Sequence, residues 1–561
     1  MNEQKNLILA FILSLGILFG YNHFVEAPAA SKRQEELKQT QQAAVPQETP
    51  APDTIIPITE ALSANHRLKI NASKVHGSIN LKGARFDDIT LVDYKETTDS
   101  SSPEITLLAP KKTDKAYFVD FGWISRSSLT LPSQDTEWKT SSTDLTPEKP
   151  VVLTWDNGHG LHFTRTIAVD EQYMFTVTDK VENKTGEAVK LNAYGQITRI
   201  GKPATGGYFI LHEGPIGVIN GKLVELDYDK LKEQGSDDHT TTGGWIGFTD
   251  KYWLVSLIPD QKTTYQTKSQ SQTINGIDRY TTETISPEYE VAPNQSVETT
   301  QHMFSGAKIL GMLDAYEEKL GFDKFDLAID FGWFYFLTKP LFYVLEYMNK
   351  LLGNMGLAIL LLTVLFKAAM FPLANKSYRS MSRMKILQPK MEALKAKYGD
   401  DKMKLNQELM ALYQKEKINP MAGCLPMVIQ APVFFCLYKV LFVTLEMRHA
   451  PFYGWIHDLS APDATSVFNL FGLLPFTPPS MLMIGAWPLI MGATMMLQQK
   501  LSPQPADPAQ AKVMMIMPLM MTVLLANFPA GLVIYWAWNN ILSIIQQWWI
   551  MRQDVTPAKA S

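Results

Sequence analysis

Apolar positions are unevenly spread along the chain, and their spacing changes twice. The first run, Leu7–Phe24, is about 18 residues long, enough for a membrane-crossing helix. The small-residue stretch Ala27-Pro28-Ala29-Ala30 behind it admits a cleaved signal peptide. The run is long for a signal h-region, however, and a proline interrupts the cleavage-like site. The favoured expectation is an uncleaved anchor over 1–26. Residues 27–55 are rich in Gln, Ala, Pro, Glu and Thr and predict a disordered tether. From Ile56 to about Phe304 apolar and polar residues alternate in short segments, as in KVHGSINLKGARFDDITLVDY and LHFTRTIAVDEQYMFTVTDKVEN. Turn clusters such as Asp156-Asn157-Gly158 and Asn183-Lys184-Thr185-Gly186 separate them. That pattern predicts an all-β sandwich. Residues 307–320 then read as helix.

Beyond about residue 331 the period lengthens. AIDFGWFYFLTKPLFYVLEYMNKLLGN mixes aromatic residues with Lys339, Glu346 and Lys350, which predicts an amphipathic helix over 331–351 at the outer membrane interface. Gly356–Asn375 is an apolar helix of about 20 residues, matched to a ~30 Å hydrocarbon core. Asn375–Lys417 reads as two helices broken at Gly399-Asp400-Asp401, with Met381, Met384, Leu387, Met391 and Leu394 at helical steps. Further spans are expected at Asn419–Met447, Met481–Gln499, Val513–Asn527 and Leu532–Ile550. Trp548 and Trp549 fit an interfacial belt. The chain thus divides into an anchor (1–26), a tether (27–55), a β domain (56–330), an interfacial helix (331–351), a helical core (352–552, with a hairpin at 375–417) and a tail (553–561).

Charge orients this arrangement. The net charge of −4 over 561 residues hides an acidic β region and a basic stretch, Lys376–Lys417. Cytoplasmic loops carry excess Lys and Arg. The hairpin should therefore be inside, the β domain outside, and six spans would leave both termini in the cytoplasm. Cys424 and Cys436 both fall in one expected span; they cannot staple an exported domain and fit no metal spacing. They read as small packing residues.

The candidate chemistry centres on Lys367. It lies roughly eight residues, or about 12 Å at helical rise, from the polar end at Asn375. An ammonium near mid-membrane costs at least ~2.5–3.5 kcal/mol, so a charge kept there faces water or a partner. A lysine snorkelling from a tilted helix is the bland alternative. Thr363, at i−4, shares its face. Gln430 sits between Pro426 and Pro432 in the next span and is a packing amide or a cavity residue in equal measure. The last span holds Tyr535, Trp536, Asn539 and Asn540, with Trp536, Asn539 and Asn540 near one face. Lys439 lies toward an outer end and can snorkel. His457-Asp458 has no nucleophile nearby and reads as a turn. The triplets Asp120-Phe121-Gly122 and Asp330-Phe331-Gly332 lack any accompanying kinase motif. No GxxxxGK[ST] loop is present, so ATP hydrolysis is unsupported.

FPLANKSYRSMSRMKILQPK, the GDDK turn, KINPMAGCLPMVIQAP, WIHDLSAPD, LQQKLSP and FPAGLVIYW–NN–IIQQ together resemble the YidC/Oxa/Alb family of membrane protein insertases, in its Gram-negative form. The resemblance covers nearly all of 330–552. It implies a membrane α-helical fold of six transmembrane helices, an anchor plus a five-helix core, with a large periplasmic β-supersandwich domain. It also implies a hydrophilic groove open to cytoplasm and lipid. The groove would hold Lys367, where the family commonly has arginine, with Thr363, Gln430, Tyr535, Trp536, Asn539 and Asn540. A tyrosine of the best-known relatives falls on Trp536. The cytoplasmic hairpin would present Arg379, Arg383, Lys385, Gly399, Asp400 and Asp401.

Implied partners are nascent integral membrane proteins, the Sec translocon with accessory Sec subunits, ribosome or signal recognition particle machinery, and membrane lipids. Nucleic acid is not a substrate. No catalytic residue, cofactor or metal is expected. Two rivals stand beside this reading. A secondary transporter would use Lys367 as a substrate or proton site, but no inverted repeat is found. A membrane-anchored glycan-binding module would leave the intramembrane polar residues unexplained.

Overall fold

A computed structural model describes residues 55–203, 210–398, 401–416, 425–474, 476, 478–479, 483–502 and 508–554. The expected anchor, the tether up to 54, Gly399, Asp400, Cys424 and the tail from 555 lie outside these residues.

The alternating segments form two packed sheets. Among the described residues one has eleven strands and the other eight. Leu161–Val169 alternates buried and half-buried positions throughout, as period 2 requires of a sheet with one covered face. Tyr117–Ile124, central in the larger sheet, is buried along its whole length. Between the sheets, Phe86 meets Phe121 and Phe175 edge-on, with centroids 5.9 and 5.5 Å apart. Two buried ion pairs sit in this apolar setting. Arg85 grips Asp120 through Nε and Nη2 at 2.8 and 3.1 Å, and Arg165 grips Asp179 at 2.7 and 3.0 Å. Asp120 of the first Asp-Phe-Gly triplet is thus a structural counter-ion. Two short helices, α1 (Ile58–Ser63) and α2 (Tyr228–Gln234), flank the sheets.

The last strand, Ser296–Ala307, leads into α3 (Leu310–Leu320) and a short turn of helix at Phe325–Ala328. Then follow α4 (Tyr335–Leu352), α5 (Met355–Ala369), α6 (Phe371–Tyr398), α7 (Lys402–Lys415), α8 (Leu425–Val443), α9 (Ala486–Leu501), α10 (Pro508–Leu525) and α11 (Ala530–Asp554). On α4, Thr338, Leu341, Phe342, Leu345 and Met348 are buried, whereas Phe336, Tyr347 and Leu351 are exposed. Lys339 pins α4 to the β domain through Asp326 Oδ2 at 2.6 Å and Asp314 Oδ1 at 2.9 Å. Burial pulls its ammonium down, but those hydrogen bonds outweigh burial and hold it above the usual lysine value.

Two expectations are corrected here. The apolar stretch 356–375 is not one helix: it breaks at Met370, and α5 and α6 meet at 68°. Pro372 has no N–H to donate, and its ring clashes with the carbonyl four residues earlier. Lys367 therefore lies three residues before a bend, not eight before a helix end, and the hairpin's first helix starts at Phe371 rather than Asn375. Lys439 does not snorkel. Its Nζ donates to Asp330 Oδ2 at 2.6 Å and to the Ile210 carbonyl, so it ties α8 to the segment leaving the β domain. Gly332, at φ 71°, lets that segment pass against the Lys439 side chain.

Among the described residues no single helix is long and apolar enough to cross a bilayer, although α5 and α6 pass that test together as a bent pair. The six separate spans expected from the sequence are therefore not each matched by such a helix. One reason is visible in α11, whose 25 residues include Asn539, Asn540, Gln546 and Gln547.

Candidate functional site

Asn354 caps α5 by accepting the Leu357 N–H at 3.0 Å, which starts the helix that carries Lys367. The helix ends at the Pro372 bend, so Lys367 sits in the elbow between α5 and α6. α11 packs against both, and α8 packs against α6 and α11. These four helices enclose a small open cleft lined by Lys367, Met370, Leu373, Ala374, Tyr378, Gln430, Val433 and Gln546.

The polar groups of the cleft form a chain of contacts. Lys367 Nζ donates to Ser543 Oγ at 2.8 Å, and Ser543 Oγ donates to the Asn539 carbonyl at 2.8 Å. Gln546 Nε2 reaches the Lys367 carbonyl at 3.4 Å. Tyr378 meets the Ser543 side chain, and the Tyr535 hydroxyl meets Gln430. No carboxylate of the described residues pairs with Lys367. The half-buried ammonium is held by a neutral hydroxyl in a partly apolar cleft, which leaves its charge open to an incoming anion. In such a setting an opposite charge is attracted more strongly than in water.

The other expected site residues lie elsewhere. Thr363 is 2% exposed and donates to the Ile359 carbonyl of its own helix at 2.7 Å, outside the cleft lining. Trp536 turns toward α8, where its ring meets Phe434 edge-on at 4.7 Å. Asn540 turns toward α9 and donates to Thr494 Oγ1 at 3.2 Å. Trp536 and Asn540 thus meet different helices rather than acting as one face. The Asn539 side-chain oxygen is buried without a partner among the described residues.

On the hairpin, Arg379, Arg383 and Lys385 are exposed. Asp401 caps α7 by accepting the Lys404 N–H at 3.0 Å, and Lys390 bridges to Glu416 at 2.7 Å across the two arms. His457 is exposed. Asp458 accepts from the His449 N–H at 3.0 Å and the Ser460 N–H at 2.8 Å, so this pair serves a turn.

Ser543 and Tyr378 were not singled out from the sequence. One signal was available for Ser543. Asn539, Ser543, Gln546 and Gln547 form a polar stripe at three- and four-residue steps on an otherwise apolar helix. One acidic cluster, Asp314, Glu317 and Asp326, has metal-like spacing within 4.8 Å. Lys339 already donates to two of its members and neutralises much of its charge.

Sequence comparison places these features among known proteins. The profile of the YidC periplasmic domain matches residues 67–344, and that of the 60Kd inner membrane protein family matches 347–557. The membrane protein insertase YidC of Methylobacterium nodulans is 49% identical over 578 residues, covering 99% of this chain and 96% of its own. That of Rickettsia bellii is 49% identical, covering 99% and 100%. That of Granulibacter bethesdensis is 50% identical, covering 99% of each. With such identity sustained over nearly the whole length, the chain belongs to the YidC family of membrane protein insertases.

Proposed function

We propose that this chain inserts nascent membrane proteins into the bacterial inner membrane through the cleft between α5, α6, α8 and α11. The observation that carries this reading is Lys367, an ammonium with a neutral partner in a cleft lined by both polar and apolar side chains. A client must move a polar tail across lipid. A wet cleft reaching part of the way shortens that path and lowers the desolvation cost. Lys367 attracts an acidic tail into the cleft. The tail then leaves outward, favoured by ~2.3 kcal/mol per charge per 100 mV of membrane potential. The client's apolar segment slides into lipid, driven by hydrophobic burial.

In this reading the anchor 1–26 and five core helices within 352–552 make six spans. Both termini and the 375–417 hairpin face the cytoplasm, and the β domain, 56–330, is periplasmic. The exposed Arg379, Arg383 and Lys385 suit anionic lipid headgroups or ribosome and signal recognition particle machinery. The Sec translocon and its accessory subunits are the partners for larger clients.

The test is insertion into liposomes holding only this protein, with a small single-span client bearing a short acidic tail, scored by protease protection. Wild type and Lys367→Arg should insert, and Lys367→Glu should not. Loss in Lys367→Ala would make the charge indispensable for that client. Equal insertion by all four would remove Lys367 from the mechanism. If wild type inserts nothing, a Sec-dependent chaperone role replaces the autonomous one.

A further inference from the structure

The outer loop between α8 and α9 carries an apolar segment that neither the cleft nor the β domain uses. Val467, Phe468, Leu470, Phe471, Leu473 and Leu474 are all exposed, Leu473 to 82%. A contiguous apolar surface of this kind marks an interaction site when it belongs to a protein facing water. No Asp, Glu, Lys or Arg occurs from Ala464 to Gln499, so the uncharged stretch continues unbroken from this loop along α9 until Lys500 in its last turn. The loop is also fixed to the start of that helix. Asp463 accepts the Trp487 N–H at 2.9 Å, and Val467 N–H donates to the Ile484 carbonyl at 3.1 Å.

The backbone supplies an independent observation. The Leu470 N–H donates to Val467 O at 3.0 Å, Phe471 to Ser466 O at 2.7 Å, Leu473 to Leu470 O at 3.3 Å and Leu474 to Asn469 O at 3.0 Å. The Phe468 N–H donates to Ser466 Oγ at 3.2 Å. A loop in water can leave such amides to the solvent. A loop in hydrocarbon cannot, because nothing there replaces the missing acceptor. Leu470 and Phe471 adopt left-handed φ values of 50° and 58° to close the turn, a conformation unfavourable for residues with a Cβ. Closing it gives most of the turn's N–H groups an inward acceptor while the side chains stay outside.

We propose that residues 467–474 are immersed among the acyl chains of the outer leaflet, beside the start of α9. The occupant of this surface is lipid: the segment is uncharged, bonds most of its backbone N–H groups within its own turn and is continuous with a helix read as spanning. The inference rests on the proposed reading that α8, α9 and α10 cross the membrane. It goes further, in that a loop connecting two spans on the periplasmic side is itself a membrane-embedded element that anchors the outer end of α9.

The test uses the full-length chain in vesicles of phosphatidylethanolamine and phosphatidylglycerol. Trace phosphatidylcholine carries a photoreactive diazirine either midway along one acyl chain or on the head group, and adducts are mapped by mass spectrometry. The acyl-chain probe should label 467–474 severalfold above the exposed strand-end loop 96–101, and at a yield comparable to the peptides around Leu497 of α9 and Leu519 of α10. Labelling of those helices with none above background in the loop would overturn the proposal. The loop would then lie in water or beneath a protein, a second copy included. Labelling of the loop by the head-group probe alone overturns it as well. If the α9 and α10 peptides themselves stay unlabelled, the spanning reading fails, and the loop proposal falls with it.

Discussion

Lys439, on the outer half of α8, donates to Asp330 Oδ2 at 2.6 Å, with the two side chains only 8% and 17% exposed. The pair joins two parts of the chain with opposite solvent requirements. Asp330 sits where the β domain hands over to α4, and α8 lines the candidate cleft. Arg448 adds a second tie, donating to the backbone carbonyls of Lys95 and Glu96. Lys251 adds a third, its ammonium 4.3 Å from the centre of the Phe442 ring.

Removing one member of such a pair leaves a buried charge uncompensated, which typically costs about 3–5 kcal/mol. Lys439→Met should lower the thermal midpoint of the full chain in detergent. Lys439→Met with Asp330→Asn should recover much of the loss, because both charges are then gone. A double variant no more stable than Lys439→Met alone would show that the lysine acts by packing against Gly332 rather than by charge.

A second prediction concerns pH. Burial pushes the Lys308 ammonium down to about 8, and its Nζ donates to Thr249 Oγ1 at 2.8 Å. Asp250, Asp330 and Glu213 oppose that shift, whereas Lys439 adds to it. An unfolded lysine titrates near 10.5. Between about 8 and 10.5 the unfolded chain binds the extra proton, so stability rises with pH across that window. Below 8 the cost of the buried charge is present in full, on the order of 3 kcal/mol. Lys308→Met should therefore be more stable than wild type at pH 7, with the difference vanishing near pH 10.5. The Thr249 hydroxyl still donates to the Asp250 carbonyl at 3.2 Å, so it is not orphaned. Lys251, also pushed down to about 8 by burial, keeps its slope in both proteins and cancels in the difference. Chemical denaturation of the two full-length chains at pH 7, 9 and 10.5 measures this.

The sequence revealed local patterns more readily than remote partners. Alternation in Leu161–Val169 is a property of neighbours, and the strand follows it. The amphipathic helix over 331–351 is legible for the same reason, although the helix itself starts at Tyr335. Lys367 stands out because a charge in an apolar run needs no partner to be noticed. Its partner Ser543 is 176 residues away, and one serine in a mixed helix carries no signal by itself. Lys439 read as a snorkelling residue because Asp330 lies 109 residues upstream. The bend at Met370 was written in Phe371-Pro372, but unbroken hydrophobicity on both sides masked it. Hydropathy reports burial and says nothing of direction.

A third prediction concerns the hairpin. Asp401 satisfies an otherwise orphaned N–H at the start of α7. Asp401→Ala should cost about 1 kcal/mol of local helix stability and should speed amide exchange over 402–405. Exchange in the first turns of α5 should be unaffected. Asp401→Asn should keep most of the cap, since its side-chain oxygen still accepts. Equal exchange in Asp401→Ala and wild type would mean that the tie between Lys390 and Glu416, at 2.7 Å, already fixes this end of the helix.

A last prediction separates the charge of Lys367 from its hydrogen bond. Ser543 Oγ takes one donor hydrogen of the ammonium, and nothing on the described residues neutralises it. Ser543→Ala removes the hydroxyl but keeps the charge, and water in an open cleft replaces the lost acceptor at modest cost. Insertion of an acidic-tailed client should fall by no more than about threefold, because the replacing water leaves a net loss well below the ~1.5–3 kcal/mol of a hydrogen bond to a charged group. Ser543→Asp instead places a carboxylate within reach of Lys367. The resident ion pair then competes with the client's tail for the same ammonium. Insertion of the acidic-tailed client should drop to the level of Lys367→Ala, while a client with an uncharged tail should insert as before. Cutting both clients equally would mean that Ser543→Asp damages the cleft itself. Sparing both would mean that hydration and shape, rather than the charge, admit the tail.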